Sequence, residues 1–281
     1  MDPAGAARYG RRVTFSIVAR SGDAYGVTVA SKFLGAGALV PAAEAGAGAL
    51  ATQAWANVAF RPQGLAMLRT GVRAQDVVAG LTAADPGRAH RQLGVVGPEG
   101  EGATFTGEEC LDWAGGAAGD GYAVQGNMLT GPEVVEAMES AWLASAELPF
   151  ARRLAAARAA GDAAGGDRRG RQSAALYVVE AGAGYAGWGD VACDLRVDDH
   201  PDPAAELGRL LGIHELLFGK PDPAALLEVG GELAEEIEAR VKQLGYATLD
   251  QWAGVENLEG RLVEGRIDPV VLSHLRAAGE R

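Results

Sequence analysis

Cysteine is nearly absent from this chain: Cys110 and Cys193 are the only two in 281 residues. They stand too far apart to make a metal-ligand pair and read as buried free thiols of a reducing compartment, with a disulfide as the alternative. Positive charge is also short. Twenty-five Lys and Arg against 37 Asp and Glu leave a net charge of −12, which argues against a nucleic-acid surface, because phosphate binding relies on clustered cations. No apolar run reaches the length of a membrane span, so no membrane partner is expected. Neither a phosphate loop nor a dinucleotide glycine pattern occurs, and no cofactor is expected. The opening MDPAGAARYGRR has no apolar segment of the kind a secretory signal needs. The expected location is the cytoplasm.

A hydrophobic content of 48% is ordinary for a folded protein, and the length suits one large core with a small satellite domain. Short apolar runs come in pairs around turns. Phe15–Ala19 and Val27–Ala30 flank Ser21-Gly22-Asp23, and QLGVV at 92–96 and ATFT at 103–106 flank a Gly-Pro-Glu-Gly turn. Gly35–Val40 and Gly46–Thr52 read as further strands of small residues, as do Tyr122–Gln125, Ser173–Glu180 and Leu195–Val197. Helical spacing marks Pro62–Arg69, Ala74–Leu81, a long segment after Gly131-Pro132, and Phe150–Ala160, which Gly161 should end. Hairpins grouped between helix pairs predict stacked antiparallel sheets covered by helices, an α+β fold. From Pro203 the pattern turns helical. Gly219–Pro223 reads as a linker, and residues 219–281 as a small α-helical domain whose main helix ends at Gly245.

The stretch 14–32, TFSIVARSGDAYGVTVASK, places a threonine at the head of a buried strand. A threonine that is also a chain terminus holds a nucleophilic hydroxyl and an amine able to serve as its base on one residue. Such an amine titrates near pH ~8, close enough to neutrality for base catalysis.

The motifs TFSIVAR, GVTVASKFLGAGALVP, GALATQAWAN, ADPGRAHRQLGVV, FTGEECLDWAG, GYAVQGNML, GDRRGRQSAALYVV and DLRVDDHPDP together resemble the family of domain of unknown function 1028. That resemblance implies membership of the Ntn-hydrolase superfamily. With it come a four-layer αββα sandwich over residues 14–218 and hydrolysis of an amide-type C–N bond in a small molecule. Relatives begin with Met where this chain has Val13, so residues 1–13 read as an extension ahead of the working start, with cleavage between Val13 and Thr14 as the alternative. The segment ARVKQLGYATLDQWAGVENLEGRLVEGRIDPVVLSHLR resembles a peptidoglycan-binding domain, which implies cell-wall glycan or a protein as a partner. Self-association is the remaining partner class.

Within that frame Thr14 is the candidate nucleophile; otherwise it is a β-branched strand residue chosen for packing. Lys32, at the end of the second strand, is the candidate ammonium that tunes the amine or steadies an oxyanion. Ser31 alternates to the other face, so only one of the two can point at Thr14. Thr52, Gln53 and Asn57, and Gln125, Gly126 and Asn127, lie at strand-to-helix corners that can expose N–H donors to an oxyanion or read a substrate amide; local helix capping is the alternative. Arg168 and Arg171, with Ser173 behind them, suit an anionic substrate group, unless these arginines pair with Asp167 and other acids. Asp194, Asp198, Asp199, His200 and Asp202 are rich in oxygen but match no metal loop, and Asp-His-Pro is a natural turn. No metal is expected.

Overall fold

The computed structural model describes residues 14–279; the expectations for residues 1–13, Val13 included, lie outside the described residues. The first hairpin forms from β1 (Thr14–Ser21) and β2 (Ala24–Ser31). Gly22 sits at its tip with φ 56, the left-handed conformation that a two-residue hairpin loop needs. There follow α1 (Ala36–Leu39), β3 (Pro41–Glu44), β4 (Gly48–Ala54), α2 (Phe60–Arg69) and α3 (Ala74–Ala83). Next come β5 (Arg91–Val96), β6 (Ala103–Thr106), β7 (Gly115–Gly119) and β8 (Tyr122–Asn127). After α4 (Glu133–Ala144) and α5 (Phe150–Ala163), β9 (Ser173–Val179), β10 (Val191–Val197) and α6 (Pro203–Phe218) complete the series.

The strands make two antiparallel sheets, one of six in the order β10-β9-β2-β1-β8-β7 and one of four in the order β3-β4-β5-β6. Alternation of side chains gives each sheet two buried faces. Val18, Val27 and Val29 of the larger sheet pack with Ala49, Ala51 and Val96 of the smaller one. On the far side of the smaller sheet, Leu50, Leu93 and Val95 meet Phe60, Leu68, Val77 and Leu81 of α2 and α3. On the far side of the larger sheet lie α4 and α5. Gly26 makes the closest approach there, since a Cβ on it would stand 2.6 Å from Leu154 Cδ1 of α5. The order of layers is therefore helices, sheet, sheet, helices.

Three local expectations need correction. Gly35–Val40 is not a strand: Gly35 turns left-handed at φ 62 and α1 starts behind it. Small residues serve close packing here, with a Cβ on Gly37 falling 2.5 Å from Ala175 Cβ of β9. Gly161 does not end α5, because it is a helix–helix contact against Met138 rather than a stop. The strand β7, GGAAG, has no alternation to reveal it and forms by register with β8. The two cysteines form no disulfide; Cys193 is buried but Cys110 is half-buried.

The chain divides into two compact units, Met1–Arg209 and Leu210–Arg281. The second contains the end of α6, a two-strand pair of β11 (Leu227–Glu228) and β12 (Arg266–Ile267), and the helices α7 (Gly231–Gln243), α8 (Leu249–Val255) and α9 (Pro269–Ala278). Its own core gathers Ile237, Val241, Trp252, Leu258, Val271 and Leu275. Arg261, buried, ties the unit together by donating to Asp268 and to the carbonyls of Glu215 and Leu216 at the end of α6. Among the described residues, no helix is long and apolar enough to cross a membrane.

Candidate functional site

Thr14 begins β1, a central strand of the larger sheet, and is 5% exposed. The register pairs Phe15 with Ala30, so the next pair outward brings Thr14 level with Ser31 at the end of β2. Thr14 Oγ1 donates to Ser31 Oγ at 3.2 Å. On its other side Thr14 pairs with Asn127 of β8. The Thr14 carbonyl accepts from Gln53 Nε2 at 3.1 Å and from Asn127 Nδ2 at 3.4 Å. Thr14 and Gln53 also line a small cavity of about 20 Å³ whose other walls, Phe33, Leu39, Val40 and Ala54 among them, are apolar.

Behind Thr14 a polar network crosses between the sheets. Ser16 Oγ donates to Gln53 Oε1 at 2.6 Å and accepts from Gln125 Nε2 at 2.6 Å. Gln92 Oε1 accepts from Gln53 Nε2 at 2.8 Å and from Asn127 Nδ2 at 2.9 Å. Its own Nε2 donates to Thr106 Oγ1 at 2.9 Å, to the Gly126 carbonyl at 2.7 Å and to the Gly115 carbonyl at 3.2 Å. Ser16, Gln53, Gln92, Gln125 and Asn127 are all essentially inaccessible to solvent, and such groups are stable only when hydrogen-bonded. Gln125 Oε1 is the exception, with no partner among the described residues. The two strands that supply the amides on Thr14 both end in left-handed non-glycine residues, Ala54 at φ 61 after Gln53 and Met128 at φ 49 after Asn127. Each costs about 1–3 kcal/mol, a strain concentrated around one threonine.

The remaining candidates separate. Of Ser31 and the candidate Lys32 only one could point at Thr14; it is the Ser31 hydroxyl that meets Thr14, while Lys32 Nζ donates to the Arg171 carbonyl at 3.1 Å. The Lys32 amide donates to Asp167. Thr52 Oγ1 reaches the Asn57 carbonyl, and Asn57 Oδ1 accepts from the Ala59 amide two residues on, which fixes a turn ahead of α2 and does not cap the helix. Gln53 and Asn127 brace the Thr14 main chain, and Gly126 offers its carbonyl to Gln92. At the two corners, the Trp55 amide is taken by the His90 carbonyl and the Met128 amide by the Leu111 carbonyl. The Arg168 guanidinium donates to the Asp112 carbonyl. Arg169 pairs with buried Asp167, and Arg171 with Asp162, whose hydrogen bond and charge push the Arg171 pKa up. Ser173 donates to the Phe33 carbonyl and accepts from the Ala36 amide, fixing the start of α1. Asp194 pairs with Arg196, Asp199 accepts from Gln172, and Asp202 accepts from the Ala205 amide at the start of α6. Among the described residues, no three acidic, His or Cys side chains gather as a metal site.

Sequence reasoning missed Ser16, Gln92 and Arg158. The first two are polar positions inside strands that otherwise read as apolar. Arg158 stands four residues after Leu154 and three before Gly161, on the buried stripe of α5, and that placement is the signal that could have found it.

Fold and site together define an α+β protein of two antiparallel sheets between helical layers, built around a buried strand-head threonine. The model described as "Family of unknown function (DUF1028)" matches residues 14–207. The chain belongs to that family. A second model, described as "Putative peptidoglycan binding domain", matches residues 217–275. The chain is similar to the crystal structure of a protein of the same family from Silicibacter pomeroyi, at 32% identity and a TM-score of 0.65, over 80% of this chain and 93% of that one. No functionally curated protein matches the chain.

Proposed function

We propose that this protein is an N-terminal-nucleophile hydrolase of the Ntn type that cleaves an amide-type C–N bond in a small molecule, acting in the form whose first residue is Thr14. The observation that carries this reading is the Thr14 hydroxyl, held by Ser31 beside a cavity while its carbonyl is braced by two buried amides. The layer order of helices, sheet, sheet, helices agrees with the sandwich that such enzymes use.

In this form the Thr14 amine takes the hydroxyl proton as Oγ1 attacks the substrate carbonyl, then returns it to the leaving nitrogen; water hydrolyses the resulting ester. Ser31 orients the hydroxyl before attack. The brace from Gln53 and Asn127 fixes the main chain, so that the nucleophile costs little to position. Lys32, on the Arg171 carbonyl, acts at most through the field of its ammonium.

The test is a protein prepared to start at Thr14, with the free amine verified by intact mass, assayed on a panel of amides and ureides. Turnover is expected, and Thr14→Ala should abolish it. A protein proven to start at Thr14 that neither turns over nor is labelled by an electrophilic amide mimic would refute the reading.

A second reading, a non-catalytic protein held to cell-wall glycan or to a protein, is favoured by one observation: the match of residues 217–275 to the peptidoglycan-binding model, over a unit with its own core. Full-length protein retained on purified sacculi and released by deleting residues 221–281 would support glycan attachment; absence of retention would sink it.

A further inference from the structure

Resting on the hydrolase reading, we propose that the cavity beside Thr14 is an acyl pocket that takes a small uncharged group, of acetyl or propionyl size. The cavity lies between the head of β1 in the larger sheet and the end of β4 in the smaller one. Thr14 and Gln53 form one side, and Ala36, Leu39 and Val40 of the α1 segment, with Ala54, form much of the rest. At about 20 Å³ it admits about one or two non-hydrogen atoms, so a methyl or ethyl group fits and a longer chain does not. The acyl carbon stays esterified to Thr14 Oγ1 once the C–N bond breaks, while the amine leaves with the proton. A buried cavity beside the nucleophile suits the half that stays.

The chemistry of the wall selects the occupant. Among the described residues no charged side chain lines the cavity. The Lys32 ammonium is held by the Arg171 carbonyl, and the Arg171 guanidinium by Asp162. A carboxylate placed beside Val40 would lose its hydration without gaining a partner there, which is costly. Water is a poor occupant too, since an ordered water needs about two to four polar partners. The Gln53 amide is already spent on Ser16, Gln92 and the Thr14 carbonyl, and the Thr14 hydroxyl hydrogen on Ser31. What the side chains leave is a surface of methyl and methylene groups, which gains free energy by covering an apolar group.

The protein starting at Thr14 is assayed on the 4-nitroanilides of acetic, propionic, butyric and malonic acids. Acetyl or propionyl should be the best substrate. For butyryl, and for malonyl, in which a carboxylate stands where propionyl has its methyl, kcat/KM should be at least about tenfold lower. Val40→Ala enlarges the cavity and should move the optimum to butyryl; if that variant fails to fold, Leu39→Ala, at a half-buried position, makes the same test. Equal rates across the series, a preference for malonyl, or an optimum that the enlarged cavity does not move overturns the pocket and leaves the hydrolase reading standing, since turnover itself supports that reading. No turnover of any anilide counts against the hydrolase reading, and crystals soaked in propionamide then decide whether the cavity takes a small apolar group. An ethyl group lodged against Val40 supports it, and water alone in the cavity overturns it.

Discussion

Gln92→Leu is the substitution that most directly probes the polar network behind Thr14. Gln92 is fully buried at the centre of five hydrogen bonds, two accepted from Gln53 and Asn127 and three donated to Thr106, Gly115 and Gly126. Leucine keeps the volume and tolerates a strand, so packing changes little. What is lost is polar. At about 0.5–1.5 kcal/mol net per hydrogen bond, five bonds bound the effect at roughly 2.5–7.5 kcal/mol. The amides of Gln53 and Asn127 keep the Thr14 carbonyl as an acceptor, which pulls the figure toward the lower half, about 3–5 kcal/mol. Urea unfolding of the larger unit, followed by circular dichroism, measures it. Thr106→Val, which removes one of the five bonds, is the control and should cost about 1 kcal/mol. If Gln92→Leu costs less than about 1 kcal/mol, the network does not hold the sheets together as argued.

Gly94→Ala should destabilise by about 1–3 kcal/mol, because the new Cβ would lie 2.0 Å from Gln125 Oε1; Gln125→Ala in the same chain should relieve most of that cost, and simple additivity of the two in urea unfolding would refute the clash. Arg261→Met should unfold the smaller unit at lower denaturant, by about 3–5 kcal/mol, since it strands buried Asp268 and two carbonyls at the end of α6; Trp252 fluorescence reports it, and an unchanged midpoint would refute the role. Burial pushes the Cys110 thiol up to about 11, so the folded state keeps its proton where the unfolded state, near 9, has lost it. Stability from this group is complete below about pH 9 and is lost as pH rises towards 11. Alkylation of the Cys110 peptide, read by mass spectrometry, should keep rising about tenfold per pH unit up to pH 10; levelling off near pH 9 in the folded protein would contradict the burial.

Much of the fold was legible because its signals are local. Alternation and turn chemistry gave the hairpins at Thr14–Ser31 and Arg91–Thr106, and helical spacing gave α2, α3, α4 and α6. Where glycine was read as punctuation the reading failed, at Gly35–Val40 and at Gly161. A glycine looks the same to its sequence neighbours whether it breaks an element or lets another approach. The site was half visible. Thr14, Gln53 and Asn127 converge, but Asn57 and Ser173 fix local main chain, and Arg168 and Arg171 are held by internal partners.

By itself the sequence determined most of the strands and helices, that the chain is acidic, and that a threonine heads the first strand. Only the tertiary structure decided that Ser31 and not Lys32 meets that threonine, because strand register is a pairing between segments and a one-residue slip reverses every face. It likewise decided that Gln92 joins the two sheets and that Arg158 keeps buried donors without a partner among the described residues. Hydrogen bonding and burial depend on what lies across the fold, and no spacing along the chain encodes that distance.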